Sequence, residues 1–327
     1  MRVLIIGGAG MVGQKLAGRL SSQKGWSDRI SELVLFDVVE AKLPQADFTI
    51  KPMVGDYADR ATSTTLAEMK PDLIFHLASI VSGDAEMNFE RGWNTNGHGS
   101  WQLLEALRAA HENSGGAYRP KFVFTSSIAV FGPPFPDRIG DDFLCAPQTS
   151  YGAQKAMIEL LVADYSRKGM IDGMSIRLPT ICVRPGKPNL AASSFFSGII
   201  REPLNGVEAI LPVSEDVRHW HASPRSAAGF LTHAADLDTS KLGGRLSVNM
   251  PGISCTVAEQ IEALRTIAGN DVVKLIRREP DETIMRIVGG WPRNFDPARA
   301  IDLGFAAEDS FEEIIRVYLS DDLPGHA

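Results

Sequence analysis

The stretch Gly7-Gly8-Ala9-Gly10-Met11-Val12-Gly13 constrains this chain more than any other. It follows a short apolar run, Arg2–Ile6, that reads as a buried strand, and it opens a helical pattern from Met11. Gly7, Gly10 and Gly13 fall at GxxGxxG spacing across that strand-to-helix turn. Glycine suits the place for two reasons. The turn is tight, and a Cβ would hold backbone amides away from a pyrophosphate at the helix N-terminus. The third glycine lets the helix pack close to the sheet. Many glycine-rich turns share the spacing; its position between a strand and a helix near the N-terminus is what predicts a dinucleotide site.

The rest of the first half fits that start. Apolar runs at Leu33–Phe36, Thr49–Val54, Leu73–His76, Lys121–Thr125 and Met174–Arg177 predict strands, and helices are expected from near Thr62, Asn88 and Tyr151. Near-continuous apolar strands separated by helices imply a parallel sheet. After Arg177 the texture becomes irregular, with Pro179, Pro185 and Pro188 close together, before a final helix over Asp309–Leu319. The expected fold is α/β: a Rossmann-type doubly wound parallel sheet, with a smaller α/β substrate-binding domain at its C-terminal edge. The division expected is 1–178 plus about 211–250 for the cofactor domain, and about 179–210 with 251–327 for the substrate domain. No internal repeat is visible.

Composition narrows the partners. With 327 residues, 44% of them apolar, the chain can bury a large core and is not disordered. A formal charge of −7 argues against a nucleic-acid surface. No apolar run approaches the roughly 20 residues that span a bilayer, and Val3–Ile6 runs straight into glycines instead of a signal-peptide core. Cys145, Cys182 and Cys255 form no CxxC pair, which fits reduced thiols in the cytoplasm.

Asp37 ends the second strand, 24 residues past Gly13. A carboxylate there accepts hydrogen bonds from ribose hydroxyls and repels a 2′-phosphate, favouring NAD over NADP. Val38, Val39 and Glu40 follow it, with no cation. The alternative is a plain strand-end cap. Asp56 can meet the adenine amino group or simply sit in a solvated turn. Tyr151 and Lys155 stand four apart on one helix face. A free phenol titrates near about 10, and an ammonium beside it stabilises the phenolate, making a base for an alcohol proton. Ser127, at the end of the Lys121 strand, can hydrogen-bond the reacting oxygen; alone it would read as a cap. Together, in this order, these residues predict hydride chemistry with NAD.

With these pieces in place, the sequence resembles the extended short-chain dehydrogenase/reductase family, the group of NAD-dependent epimerases and dehydratases. The resemblance runs through GGAGMVG, Asp37, Asp56, His76-Leu77-Ala78-Ser79, Asn96-Gly97-His98-Gly99, Ser126-Ser127-Ile128-Ala129-Val130-Phe131-Gly132 and Tyr151-Gly152-Ala153-Gln154-Lys155, and covers nearly the whole chain. It implies that Ser127, Tyr151, Lys155 and Asn96 are catalytic, Asn96 by holding a water that relays the proton. It implies a cofactor site of Gly7, Gly10, Met11, Val12, Gly13, Asp37, Asp56, Tyr57, Leu77, Ala78, Asn96, Tyr151, Lys155 and Pro179. Phe131 departs from the family's usual Tyr.

The second half must choose the substrate. Arg184, Arg218 and Arg225 are candidates to grip a carboxylate through paired hydrogen bonds. They can equally hold a nucleotide diphosphate or form structural ion pairs. His219-Trp220-His221 offers two imidazoles on one strand face but lacks further ligands, so no metal is expected. Val217–Ala227 and Leu178–Gly186 resemble a narrower subgroup acting on four-carbon sugar acids. The implied reaction is NAD-dependent oxidation of D-erythronate at C2 to 2-keto-D-erythronate; a nucleoside-diphosphate-sugar epimerase that retains its NAD is the alternative. Helices near Asn88–Glu112 and Tyr151–Arg167 carry Leu103, Leu107, Met157, Leu160 and Leu161 on more than one face. Resembling proteins pair such helices across a homodimer, which is expected here; packing within one chain is the other reading.

Overall fold

A computed structural model describes residues 1–186 and 192–323; Pro188 and the last four positions lie outside the described residues. Strands β1 (Arg2–Ile6), β2 (Glu32–Asp37), β3 (Thr49–Val54), β4 (Leu73–His76), β5 (Lys121–Ser127) and β6 (Asp172–Leu178) match the six apolar runs, three of them slightly longer than expected. Shorter strands follow: β7 (Thr180–Ile181), β8 (Ala209–Leu211), β9 (Arg218–Ala222), β10 (Ser247–Asn249), β11 (Ile253–Thr256) and β12 (Ile276–Arg278). The main sheet is seven-stranded and runs β10-β6-β5-β4-β1-β2-β3, all parallel. The order reverses beside β1, which is where doubly wound sheets open a crevice.

Alternate residues of the inner strands face opposite sides, and both sides are covered, hence their apolar runs; the edge strand β3 is mostly exposed. Val3, Ile5, Leu33 and Leu35 pack with Leu16 and Leu20 of helix Met11–Ser22 and with Phe230 of helix Pro224–Asp236. Leu4, Ile6, Val34 and Phe36 belong to the opposite core, with Leu103 and Leu107 of helix Ser100–Asn113 and Ile158 of helix Ser150–Arg167. A separate core joins Cys182, Phe196 and Leu211 to Leu264, Ile276 and Ile315. It underlies two small sheets, β11-β9-β7 and β12-β8.

The helix expected from Asn88 is not continuous. It divides into Phe89–Gly92, a wide π turn over Trp93–Gly99, and Ser100–Asn113, and a short helix Ser82–Met87 precedes it. Glycines permit the close packing here: a Cβ on Gly97 would meet the Trp93 ring at 2.8 Å. Leu103 and Leu107 are fully buried in the chain's own core, so they belong to internal packing and not to a face left for a partner.

Candidate active site

The glycine turn behaves as the sequence suggested. Gly7 has φ +94°, and a Cβ on it would meet the Ala78 nitrogen at 2.6 Å; a Cβ on Gly13 would meet the Gly7 carbonyl oxygen at 2.2 Å. Gly13 therefore serves close packing of helix on turn. Gly10 caps the helix and lines a groove of about 1200 Å³. Around that groove lie Gly7, Asp37, Asp56, Tyr57, Leu77 and Ala78. Asp37 Oδ2 accepts from Ala9 N at 2.9 Å and Oδ1 from Val38 N at 2.7 Å, which fixes the carboxylate at the end of β2. Asp56 accepts from Ala58 N at 2.9 Å. The Tyr57 ring is buried and its hydroxyl donates to the Thr95 carbonyl at 2.7 Å. Met11 packs into the core beneath the turn. Leu77 and Ala78 hang their amides on the Ile6 carbonyl, at 2.8 and 2.9 Å.

A second cavity, of about 610 Å³, opens across the ends of β5 and β6. Ser127, Tyr151, Lys155, Val12, Pro179 and Arg184 all line it, and Leu77 and Ser79 border both spaces. Local structure brings Ser127, Tyr151 and Lys155 together. Thr149 Oγ1 accepts from Gly152 N at 3.1 Å and so starts the Tyr151 helix. Gly152 sits so near the segment after β5 that a Cβ would meet the Ala129 carbonyl oxygen at 2.2 Å. Ser127 Oγ accepts from Ala129 N at 3.1 Å, leaving its own hydrogen free to donate.

The electrostatics follow from burial. Burial raises the Tyr151 phenol, opposed by hydrogen bonds with Ser127 and Ser79 and by the Arg184 charge. Burial also lowers Lys155 to about 7, against the pull of Glu159. Lys155 Nζ donates to the Thr125 carbonyl at 2.8 Å and lies 5.6 Å from the Tyr151 ring centre. Arg184, also lowered by burial, donates through Nε to the Ile181 carbonyl at 3.0 Å and through Nη2 to Ser193 Oγ at 3.4 Å.

Asn96 is enclosed by protein. Its Nδ2 donates to the Ile80 carbonyl at 3.0 Å and to Gln154 Oε1 at 2.7 Å; its Oδ1 accepts from Ile80 N at 2.8 Å and Ser79 Oγ at 3.0 Å. All four positions of the amide are occupied, which leaves no donor or acceptor over for the expected water. Two of the three arginines also stand elsewhere. Arg218 donates to the Ser254 carbonyl at 2.9 Å and pairs with Glu259 at 3.2 Å. Arg225 pairs with Asp321 at 2.5 Å. Neither lines the cavity. Among the described residues, no group of three or more His, Cys, Asp and Glu is arranged to hold a metal.

Sequence reasoning gave no role to Ser79, Thr180, His219 or Arg286, all of which line the cavity. For Ser79 its place in His76-Leu77-Ala78-Ser79 was a usable signal. For the other three, contacts far along the chain decide, and no local pattern announces them.

The residues present suit a dinucleotide. A groove whose turn admits no Cβ at Gly7 or Gly13, a fixed carboxylate at the end of β2 and an adjoining cavity holding a phenol and an ammonium are the features NAD requires. The chain belongs to the NAD dependent epimerase/dehydratase family, whose model matches residues 3–237. It is an enzyme of the dehydrogenase and epimerase kind, and NAD is its cofactor. It is 45% identical to a D-erythronate dehydrogenase of Cupriavidus necator over 98% of both chains. A D-erythronate dehydrogenase of Haemophilus influenzae is 40% identical over 99% of this chain and all of that one. A crystal structure described as the nucleoside-diphosphate-sugar epimerase of Agrobacterium tumefaciens is 53% identical, with TM-score 0.95, covering 99% of this chain and 95% of the other.

Proposed function

We propose that this enzyme oxidises D-erythronate at C2 to 2-keto-D-erythronate, with Ser127, Tyr151 and Lys155 as its catalytic residues. One observation carries the reading: a half-buried guanidinium, Arg184, lines the same cavity as Ser127, Tyr151 and Lys155. That is the equipment for a substrate with a carboxylate next to a reacting carbinol. The two full-length relatives named for this activity support it.

In this mechanism Arg184 pairs with the substrate carboxylate. Ser127 donates to the C2 oxygen and orients it toward Tyr151. Tyr151 takes the hydroxyl proton as the carbonyl forms. The Lys155 ammonium favours the phenolate. Asn96 holds Ser79, which lines the cavity with Tyr151, so Asn96 is a positioning residue. When bound, NAD supplies the acceptor for the C2 hydride. Gly7, Gly10, Asp37, Asp56 and Ala78 would hold its adenosine and pyrophosphate, with Pro179, Lys155 and Tyr151 at the other end.

The Agrobacterium protein's description favours one other reading, an epimerase that retains NAD. A single assay separates the two. The purified enzyme is given D-erythronate and free NAD, and NADH absorbance is followed. Steady accumulation supports the dehydrogenase; no net change with D-erythronate, together with interconversion of a nucleotide sugar, supports the epimerase.

The reading includes a cytoplasmic homodimer. No described helix is long and apolar enough to cross a membrane. Leu160 is 73% exposed and Trp101 47% exposed on the two helices expected to pair, and that exposed apolar surface supports a partner face. The two cores support a division into cofactor and substrate domains, with two departures from the expected bounds: Leu211 and Val213 pack in the substrate core, and Ala300 and Phe305 pack in the cofactor core.

A further inference from the structure

His219 is a buried imidazole in the wall of the cavity, and the proposed mechanism gives it no task. It stacks on Phe196, with ring centres 5.2 Å apart and planes 4° from parallel, so its orientation is fixed. Its Nδ1 lies 3.0 Å from the Pro292 carbonyl oxygen. A carbonyl can only accept, so Nδ1 carries the hydrogen. Burial holds the ring neutral at ordinary pH, with a pKa of about 4. In a neutral imidazole whose Nδ1 is protonated, Nε2 is a bare acceptor. Thr180 Oγ1 stands 2.7 Å from that Nε2, so the threonine hydroxyl donates its only hydrogen to His219.

What Thr180 then offers the cavity is fixed. Its oxygen keeps lone pairs and has no proton left to give. Its place is close to the chemistry: Leu178 pairs in register with Ser127 across β5 and β6, and Thr180 lies two residues further along. Arg184 and Ser127, which line the same cavity, are of the opposite kind. Arg184 can only donate, and Ser127 has its hydrogen free.

We infer that Thr180 is a specificity-determining residue: it accepts a hydrogen bond from a substrate hydroxyl beyond the oxidised carbon, with His219 holding its proton away. The cavity thus selects a polyhydroxy acid over a simple 2-hydroxy acid. The Pro292–His219–Thr180 chain is a relay of orientation in which no proton moves. The inference rests on the sugar-acid reading above and deepens it.

Thr180→Val keeps the side chain's shape and removes the acceptor. The probes are D-erythronate and (R)-2-hydroxybutyrate, the same carbon chain without the outer hydroxyls. The latter is measured as a substrate or, if it is not turned over, as an inhibitor. The valine variant is expected to raise KM for D-erythronate about tenfold while kcat changes by less than about threefold, as for a binding contact remote from the reacting bond. The KM or Ki of the deoxy analogue should move less than about twofold, because it has no hydroxyl to lose. Thr180→Ser should restore wild-type KM. If the valine variant does not fold, Thr180→Ala against Thr180→Ser makes the same comparison. An unchanged KM for D-erythronate, or an equal loss for both probes, overturns the inference. Wild-type turnover of D-erythronate is measured first. If that turnover is absent, the proposed substrate fails, and the same pair of variants is read on whichever sugar acid the enzyme does oxidise, against its deoxy analogue.

Discussion

Lys155 Nζ donates to the carbonyl oxygen of Thr125 at 2.8 Å. The bond ties the end of a long side chain to β5, two residues before Ser127, and so holds the ammonium against the Tyr151 ring. Replacing Lys155 by Met should lower kcat by about 100- to 10,000-fold, the range for loss of acid–base assistance. Steady-state kinetics at saturating substrate measure it, beside a melting curve showing that the fold survives. A kcat within about tenfold of wild type would remove Lys155 from the mechanism.

Tyr151→Phe removes one oxygen and leaves the ring in place. NAD affinity, titrated directly, should stay within about threefold, while turnover falls at least about 1000-fold. Appreciable residual rate would mean that another group takes the proton.

Asp37 should decide between the two nicotinamide cofactors. Asp37→Ala removes the carboxylate that would accept from the ribose and repel a 2′-phosphate. It also frees the Ala9 and Val38 amides. The KM for NAD should rise about tenfold or more, and the preference over NADP should shrink by at least as much. Parallel kinetics with both cofactors test this; an unaltered preference ratio would make Asp37 a strand-end cap alone.

Arg177 and Glu159 form a buried ion pair at 2.7 Å, with further bonds from Arg177 to Asn249 and Cys145 at 3.4 Å each. Breaking one side strands the other charge in the interior. Arg177→Met should cost about 3–5 kcal/mol in urea unfolding, and adding Glu159→Leu should recover part of it. No recovery would mean that packing around Arg177 matters more than its charge.

Stability should fall on the acid side of neutral for an identifiable reason. His76 and His219 are buried and neutral, with pKa values lowered by burial to about 3 and about 4 from 6.5. Between those folded values and 6.5 the unfolded chain holds more protons. Stability therefore declines as pH drops below 6.5 and has no such loss above it. Each histidine contributes about 1.4 kcal/mol per pH unit of that range. His76→Phe keeps a ring among Tyr57, Phe122 and Phe124 and should flatten the decline between about pH 6.5 and about pH 5. An identical slope in the variant would assign the acid sensitivity to other groups.

The cofactor half was legible because its signals are local. A buried parallel strand must be apolar throughout, and positions in a strand-to-helix turn that bar a Cβ must be glycine, so Arg2–Ile6 and Gly7 and Gly13 announced themselves. Tyr151 and Lys155 sit within one helical turn and were equally visible. The substrate wall was less so. Arg184, Arg218 and Arg225 look alike as letters, yet Arg225 meets Asp321 and Arg218 meets Glu259. Only chain folding, over separations of 96 and 41 residues, tells them from Arg184. Thr180 and His219 are 39 residues apart and carry no shared pattern. The long helix misled because amphipathic spacing does not reveal a change of winding.

That change of winding has its own consequence. Trp93–Gly99 holds one residue more per turn than an ordinary helix, which dephases everything before it from everything after it. Asn96 can therefore face the interior bonds to Ser79, Ile80 and Gln154 while Leu103 and Leu107 keep their core phase. The chain is thus intolerant of a kind of change that loops shrug off. Losing a single residue between 93 and 99 would make a more regular helix and a worse enzyme, because straightening the spiral by one step would swing Asn96 out of alignment with the loop it anchors.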